Sequence, residues 1–204
     1  IPPSVTKIGE NAFSDCYSLV KIDISSSVKT IEFGAFSFCE KLEKIDIPSS
    51  ITEIKDNTFY NCISLKEINI PSSVTKIGNL VFFKCYSLEE IKLPPIECLE
   101  NCIFQDCKSL KKIEIPSSVT LILSNAFDRC ISLEQIIIPS SVKDIRYDAF
   151  SGCSSLKEIL LPSSIEEICP RTFKKCISLK KITIPTSVSV IQYSAFEECT
   201  SLVK

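Results

Sequence analysis

Apolar residues recur along this chain in a fixed order, with polar residues between them. Phe stands at positions 13, 36, 59, 82, 104, 127, 150, 173 and 196. A Cys follows three residues later each time, from Cys16 to Cys199, and a Leu three after that, from Leu19 to Leu202. The step is 23 residues, except for one of 22 between Phe82 and Phe104. A period of this length marks a tandem array in which one supersecondary unit is repeated. The units run 1–23, 24–46, 47–69, 70–92, 93–114, 115–137, 138–160, 161–183 and a truncated 184–204. The fifth unit has lost one residue beside Pro94-Pro95.

The spacing within a unit predicts its elements. Leu-x-x-Ile-x-Ile (Leu19, Ile22, Ile24) ends in strict alternation, the period of a half-buried strand. The Pro that follows in most units (Pro48, Pro71, Pro116, Pro139, Pro162, Pro185) cannot donate to a sheet ladder and ends the strand. Ser-Ser then turns the chain. Val-x-x-Ile (Val5, Ile8) supplies two more inward apolar groups in a second short strand. Ala-Phe-x-x-Cys has the spacing of one helical or 3-10 turn with Phe and Cys inward. A single unit cannot bury these groups alone. Stacked on its neighbours it forms a continuous core, each large side chain contributing roughly 1.5–3 kcal/mol. At a strand spacing of ~4.8 Å the stack is about 40 Å long. Ile1 and Lys204 fall within repeats and no polar capping unit is visible, so the segment reads as part of a longer chain.

Composition narrows the chemistry. Twenty-three basic and 25 acidic residues give a formal net charge of −2, without the basic excess of a nucleic-acid binder or a polybasic membrane anchor. No apolar run approaches the ~20 residues of a spanning helix, so no membrane insertion is expected within this segment. The chain has no His, which rules out Ser-His and Cys-His nucleophile systems built from its own residues. Four Gly cannot form a Gly-rich phosphate loop. No enzymatic activity, cofactor or metal is expected.

The pattern I-P-S-S-V-T-x-I-G-x-x-A-F-x-x-C-x-S-L-x-x-I, best seen in Ile70-Pro71-Ser72-Ser73-Val74-Thr75-Lys76-Ile77-Gly78, resembles the BspA-type leucine-rich repeats along the whole chain. The resemblance implies an α/β leucine-rich-repeat solenoid, with a parallel β-sheet on the concave face and short strands and helical or 3-10 turns on the others. It also implies a non-enzymatic protein-binding domain at the cell surface or secreted, used in adhesion or recognition. An intracellular scaffold in the cytoplasm and a structural spacer in a long surface protein are the alternatives. The family brings no catalytic residues. The shortened fifth unit and the extra Cys98, Cys102 and Cys169 depart from its pattern.

Twelve Cys raise the question of disulfides or a metal. Nine share one repeat slot, where stacked side chains point in parallel, and are expected to be reduced, small, buried apolar groups. No C-x-x-C spacing occurs. Cys98 and Cys102, four apart, could pair or react.

In such repeats the residues flanking the strand Ile face the concave side. One column reads Lys21, Lys44, Glu67, Glu90, Lys112, Gln135, Glu158, Lys181; the next reads Asp23, Asp46, Asn69, Lys92, Glu114, Ile137, Leu160, Thr183. Most of this is a solvated, mixed-sign face. Ile137 and Leu160 break it in adjacent units and form a candidate partner-binding spot, with Gln135 and Glu158 as polar rim. A rival patch on the turn side comprises Phe33, Phe38, Tyr60 and Phe83, expected to be exposed. Tyr17, Ile63, Tyr86, Ile131 and Ile177 share the slot after the ladder Cys, which suggests partly buried packing.

Overall fold

The computed structural model describes residues 1–203, as nine stacked coils with two strand segments in most units. The Leu-x-x-Ile-x-Ile segments form the three-residue strands Lys44–Asp46, Glu67–Asn69, Lys112–Glu114, Gln135–Ile137, Glu158–Leu160 and Lys181–Thr183. In each the middle Ile turns inward and its two neighbours face solvent. The Val-x-x-Ile segments form two-residue strands in every unit, from Lys7–Ile8 to Val190–Ile191. All pairing is parallel and joins equivalent positions of neighbouring units, such as Ile45 with Ile68 and Ile113 with Ile136. The bonded ladder is not continuous. Gln135–Ile137 pairs with Lys112–Glu114, and Glu158–Leu160 with Lys181–Thr183, but the first and third of these lie side by side without a shared ladder.

The core is one column per repeat slot. Seven spine phenylalanines, Phe36 to Phe173, are fully buried, and successive rings stack at 5.3–6.0 Å with near-parallel planes. Two ladders lock neighbouring coils together. The second Ser of the turn donates its hydroxyl to the carbonyl of the Val slot one unit back, as Ser73 to Ile51 at 2.8 Å and Ser141 to Val119 at 2.7 Å. The ladder Cys donates Sγ–H to the carbonyl of the preceding unit's Phe in eight units, at 3.0–3.3 Å. That carbonyl also accepts the amide of its own unit's Cys, for example Cys62 to Phe59 at 3.2 Å, so both lone pairs are used. The slot therefore takes Cys because it is small, apolar and still a donor, which alanine is not.

The expected helical or 3-10 turns are absent; among the described residues there is no helix. The Ala-Phe-x-x-Cys segment makes i-to-i−3 bonds with only every second amide. The alternate amides cross to the next coil, as Phe13 N–H to Ala35 O at 2.8 Å and Asp15 N–H to Ser37 O at 2.9 Å. Two positions per unit sit in the left-handed region and prevent helical continuation: Asn57 and Asn61, Leu80 and Lys84, Asn125 and Arg129. Gly34 and Gly152 fill two of these positions. Elsewhere the first of the pair is often Asn, which tolerates this conformation. Leu80, at φ 56°, does not. Leu80→Asn is expected to stabilise the fold by about 1 kcal/mol, read as a raised urea midpoint with unchanged slope.

The shortened unit loses its residue at the turn. Where other units close a four-residue turn, as Val74 N–H to Pro71 O, the fifth closes a three-residue turn from Ile96 N–H to Pro94 O at 2.8 Å. The strand Cys98–Leu99 then returns to register with Leu121–Ile122.

Candidate functional site

The alternation that buries Ile136 and Ile159 forces their neighbours outward. Ile137 is 80 % exposed and Leu160 is 69 % exposed, the largest exposures among the big apolar side chains. Register places Glu114 beside Ile137 and Thr183 beside Leu160. Gln135 stands by Lys112 and Glu158 by Lys181, all on the same face. The patch is thus two rows of four, with the apolar pair at the middle of one row and Gln135 and Glu158 at the middle of the other. The sequence-derived residues are all on one surface.

The polar groups around the pair differ from those elsewhere on the sheet. In the first units the columns are internally paired: Lys44 with Glu67 at 2.6 Å, Lys21 with Asp23 at 3.2 Å, and Asn69 with Asp46. Among the described residues, Glu114, Gln135, Glu158 and Lys181 make no ion pair and no side-chain hydrogen bond. They remain available to an incoming partner.

The turn-side aromatic patch is less open than the sequence suggests. Only Phe33 is exposed, at 43 %. Phe38, Tyr60 and Phe83 are half-buried because they stack on one another, at 5.3 Å for Phe38–Tyr60 and 4.8 Å for Tyr60–Phe83, with Lys84 Nζ 5.2 Å over the Phe83 ring. Their faces are spent within the fold. In the slot after the ladder Cys, Ile63 and Tyr86 are half-buried as expected, while Tyr17, Ile131 and Ile177 are exposed.

All twelve cysteines are free thiols. Burial pushes the ladder thiols upward, Cys39 to about 12 and Cys62, Cys107, Cys130 and Cys153 well above the ordinary value. Cys98 is likewise raised to about 12, by burial and then by the nearby Glu100 carboxylate. Native alkylation is expected to reach the half-buried Cys16, Cys98, Cys102 and Cys199 first and the buried ladder only after denaturation. Intact-protein mass with and without denaturant, without reductant, checks this; missing adducts after denaturation would reveal disulfides instead.

On the opposite side a second polar group of residues serves the fold. Arg171 clamps Asp148 through Nε at 3.0 Å and a terminal nitrogen at 2.7 Å, and reaches the Tyr193 hydroxyl at 3.2 Å. Gln105 donates to the buried Asp128 carboxylate at 2.7 Å, whose pKa burial raises. Among the described residues no buried side-chain nitrogen or oxygen lacks a partner, and no three ligand-type side chains converge on a metal position. No helix is long and apolar enough to cross a membrane.

A family model described as a BspA type leucine rich repeat region (6 copies) matches residues 1–97 and 81–203. No curated protein matches. Among solved structures, a leucine-rich repeat protein from Bacteroides ovatus is 32 % identical, covering 100 % of this chain and 73 % of its own, with a TM-score of 0.56. A leucine rich cell surface protein from Faecalibacterium prausnitzii is 29 % identical over 99 % of this chain and 69 % of its own, with a TM-score of 0.56. The T. pallidum leucine rich repeat protein is 27 % identical over 87 % of this chain and 72 % of its own, with a TM-score of 0.57. No catalytic family is indicated.

Proposed function

Since the chain belongs to the BspA-type leucine-rich-repeat family, we propose that it is a non-enzymatic scaffold that holds a partner protein on its sheet face, centred on Ile137 and Leu160. The observation that carries this reading is the exposure of those two side chains, 80 % and 69 %, side by side in columns that are otherwise polar. Leaving them in water forfeits burial worth roughly 1.5–3 kcal/mol each, which a partner that covers them recovers. Gln135 and Glu158 supply hydrogen-bonding groups at the rim, where they fix orientation while the apolar pair supplies most of the affinity.

The work of such a surface is adhesion or recognition outside the cell. The named cell-surface relative supports that location. A photo-reactive side chain at position 137 is expected to cross-link to the bound protein from an extract of cell surfaces, and the same group at position 200, on the turn side, is not. Cross-linking from position 200 alone would move the site to the turn side and overturn the reading.

A further inference from the structure

We propose that the turn side of units one to three carries a glycan site, which takes a neutral sugar residue of an oligosaccharide. An open depression of about 740 Å³ lies there, bordered by Phe33, Phe38 and Tyr60.

The sequence makes this hollow by leaving side chains out. The slot one residue after the spine Phe carries Tyr60 and Phe83 in units three and four, but only Ser14 and Ser37 in units one and two. The slot two residues before the spine Phe reads Asn11, Gly34, Asn57. Glycine is needed in the middle of that row. Its φ is 61°, and a Cβ there would meet the Asn11 Oδ1 at 2.2 Å. Tyr60, packed on Phe38 at 5.3 Å, forms a fixed border. The openness of this face belongs to the repeat and not to the end of the stack. In units five to eight the same slots line a second depression, around Ser151 and Gly152.

The groups facing the hollow match a sugar. Phe33 is 43 % exposed, so its ring offers a flat apolar surface that the C–H face of a pyranose can cover. Among the described residues the side-chain amides of Asn11 and Asn57 make no hydrogen bond. Each both donates and accepts, as sugar hydroxyls do. The Asp15 carboxylate is held in place by the Tyr17 hydroxyl, which donates to one oxygen at 2.8 Å, and by the Ser14 hydroxyl, which donates to the other at 2.9 Å. Ser37 in turn donates to Ser14 at 2.9 Å. Each carboxylate oxygen keeps a lone pair for a further hydroxyl. Asp15 is the one charged group among the described lining residues, and no Lys or Arg is there to draw an anion. A peptide finds no strand edge here, because the amides of this stretch already cross between coils, as Gly34 N–H to Asp56 O at 3.1 Å and Phe36 N–H to Thr58 O at 3.0 Å. A few convergent polar groups beside an aromatic ring suit a small polar ligand.

The test titrates the chain with four neutral disaccharides, cellobiose, lactose, chitobiose and mannobiose, and with sialyllactose as the acidic comparison. Saturable binding of at least one neutral disaccharide is expected. Phe33→Ala and Asn57→Asp are each expected to weaken it at least about tenfold, with a urea midpoint close to that of the wild type. Should Phe33→Ala lower the midpoint, Asn57→Asp decides, since it removes no side-chain hydrogen bond of the fold. The Ile137→Lys, Leu160→Lys variant should bind the sugar as the wild type does, which separates this site from the sheet face. Three results would overturn the proposal: no saturable binding of any neutral disaccharide, binding of sialyllactose alone, or binding that survives both turn-side substitutions. A photo-reactive group at position 33 that captures a protein while no disaccharide binds would overturn it in favour of a protein site.

Discussion

Replacing Phe127 by alanine is expected to destabilise the fold by about 3–5 kcal/mol, the cost of an empty aromatic site in a packed interior. The ring is fully buried and stacks on Phe104 at 5.4 Å and on Phe150 at 5.3 Å. Its loss removes contacts on both sides at once. The backbone cannot readily collapse into the gap, because the Phe127 amide is tied to Ala149 at 2.8 Å and its carbonyl accepts the Cys153 thiol at 3.2 Å. In a repeat stack each unit touches only its neighbours, so weakening one junction partly uncouples the two sides. Urea unfolding should therefore show both a lower midpoint and a broader or divided transition. Phe196→Ala, with one stacked neighbour at 5.5 Å and partial exposure, should cost clearly less and leave the transition single. Equal costs at the two positions would mean that the spine is not what couples the units.

The repeat made much of this fold legible. Fixed Phe, Cys and Leu positions located every coil, and period-two alternation in Leu-x-x-Ile-x-Ile located the strands that carry Gln135, Ile137, Glu158 and Leu160. Two features stayed hidden. The Ala-Phe-x-x-Cys spacing looked like a helical turn because spacing records which side chains point inward, not where the amides donate. The Asn residues at 11, 57 and 125 were the available signal, since Asn favours the left-handed positions that interrupt a helix. The donor roles of Ser and Cys were also invisible, because each residue already had a sufficient explanation, a turn former in one case and a small apolar filler in the other. For the candidate site, the columns of the sequence put Ile137 and Leu160 on one face, which is also where the strand register puts them. They could not show that, among the described residues, the surrounding Glu114, Gln135, Glu158 and Lys181 make no ion pair and no side-chain hydrogen bond. Nor could they show that Phe38, Tyr60 and Phe83 pack against one another.

The second large effect is on binding. Ile137→Lys with Leu160→Lys is expected to weaken capture of the partner by at least about 2 kcal/mol, roughly 30-fold in Kd, as for the loss of central interface anchors. Two charges would then lie where the partner brings an apolar surface, unpaired and out of water. Stability should change by no more than about 0.5 kcal/mol, because both side chains stand in solvent. The double variant moves the formal net charge from −2 by +2 to zero, so a second variant, Ser72→Lys with Thr200→Lys, controls for charge alone.

The most direct measurement immobilises these three chains and compares what each retains from an extract of cell surfaces. The account predicts one protein held by the wild type and by the Ser72→Lys, Thr200→Lys control but lost from the Ile137→Lys, Leu160→Lys variant. Retention of the same proteins by all three chains would contradict it.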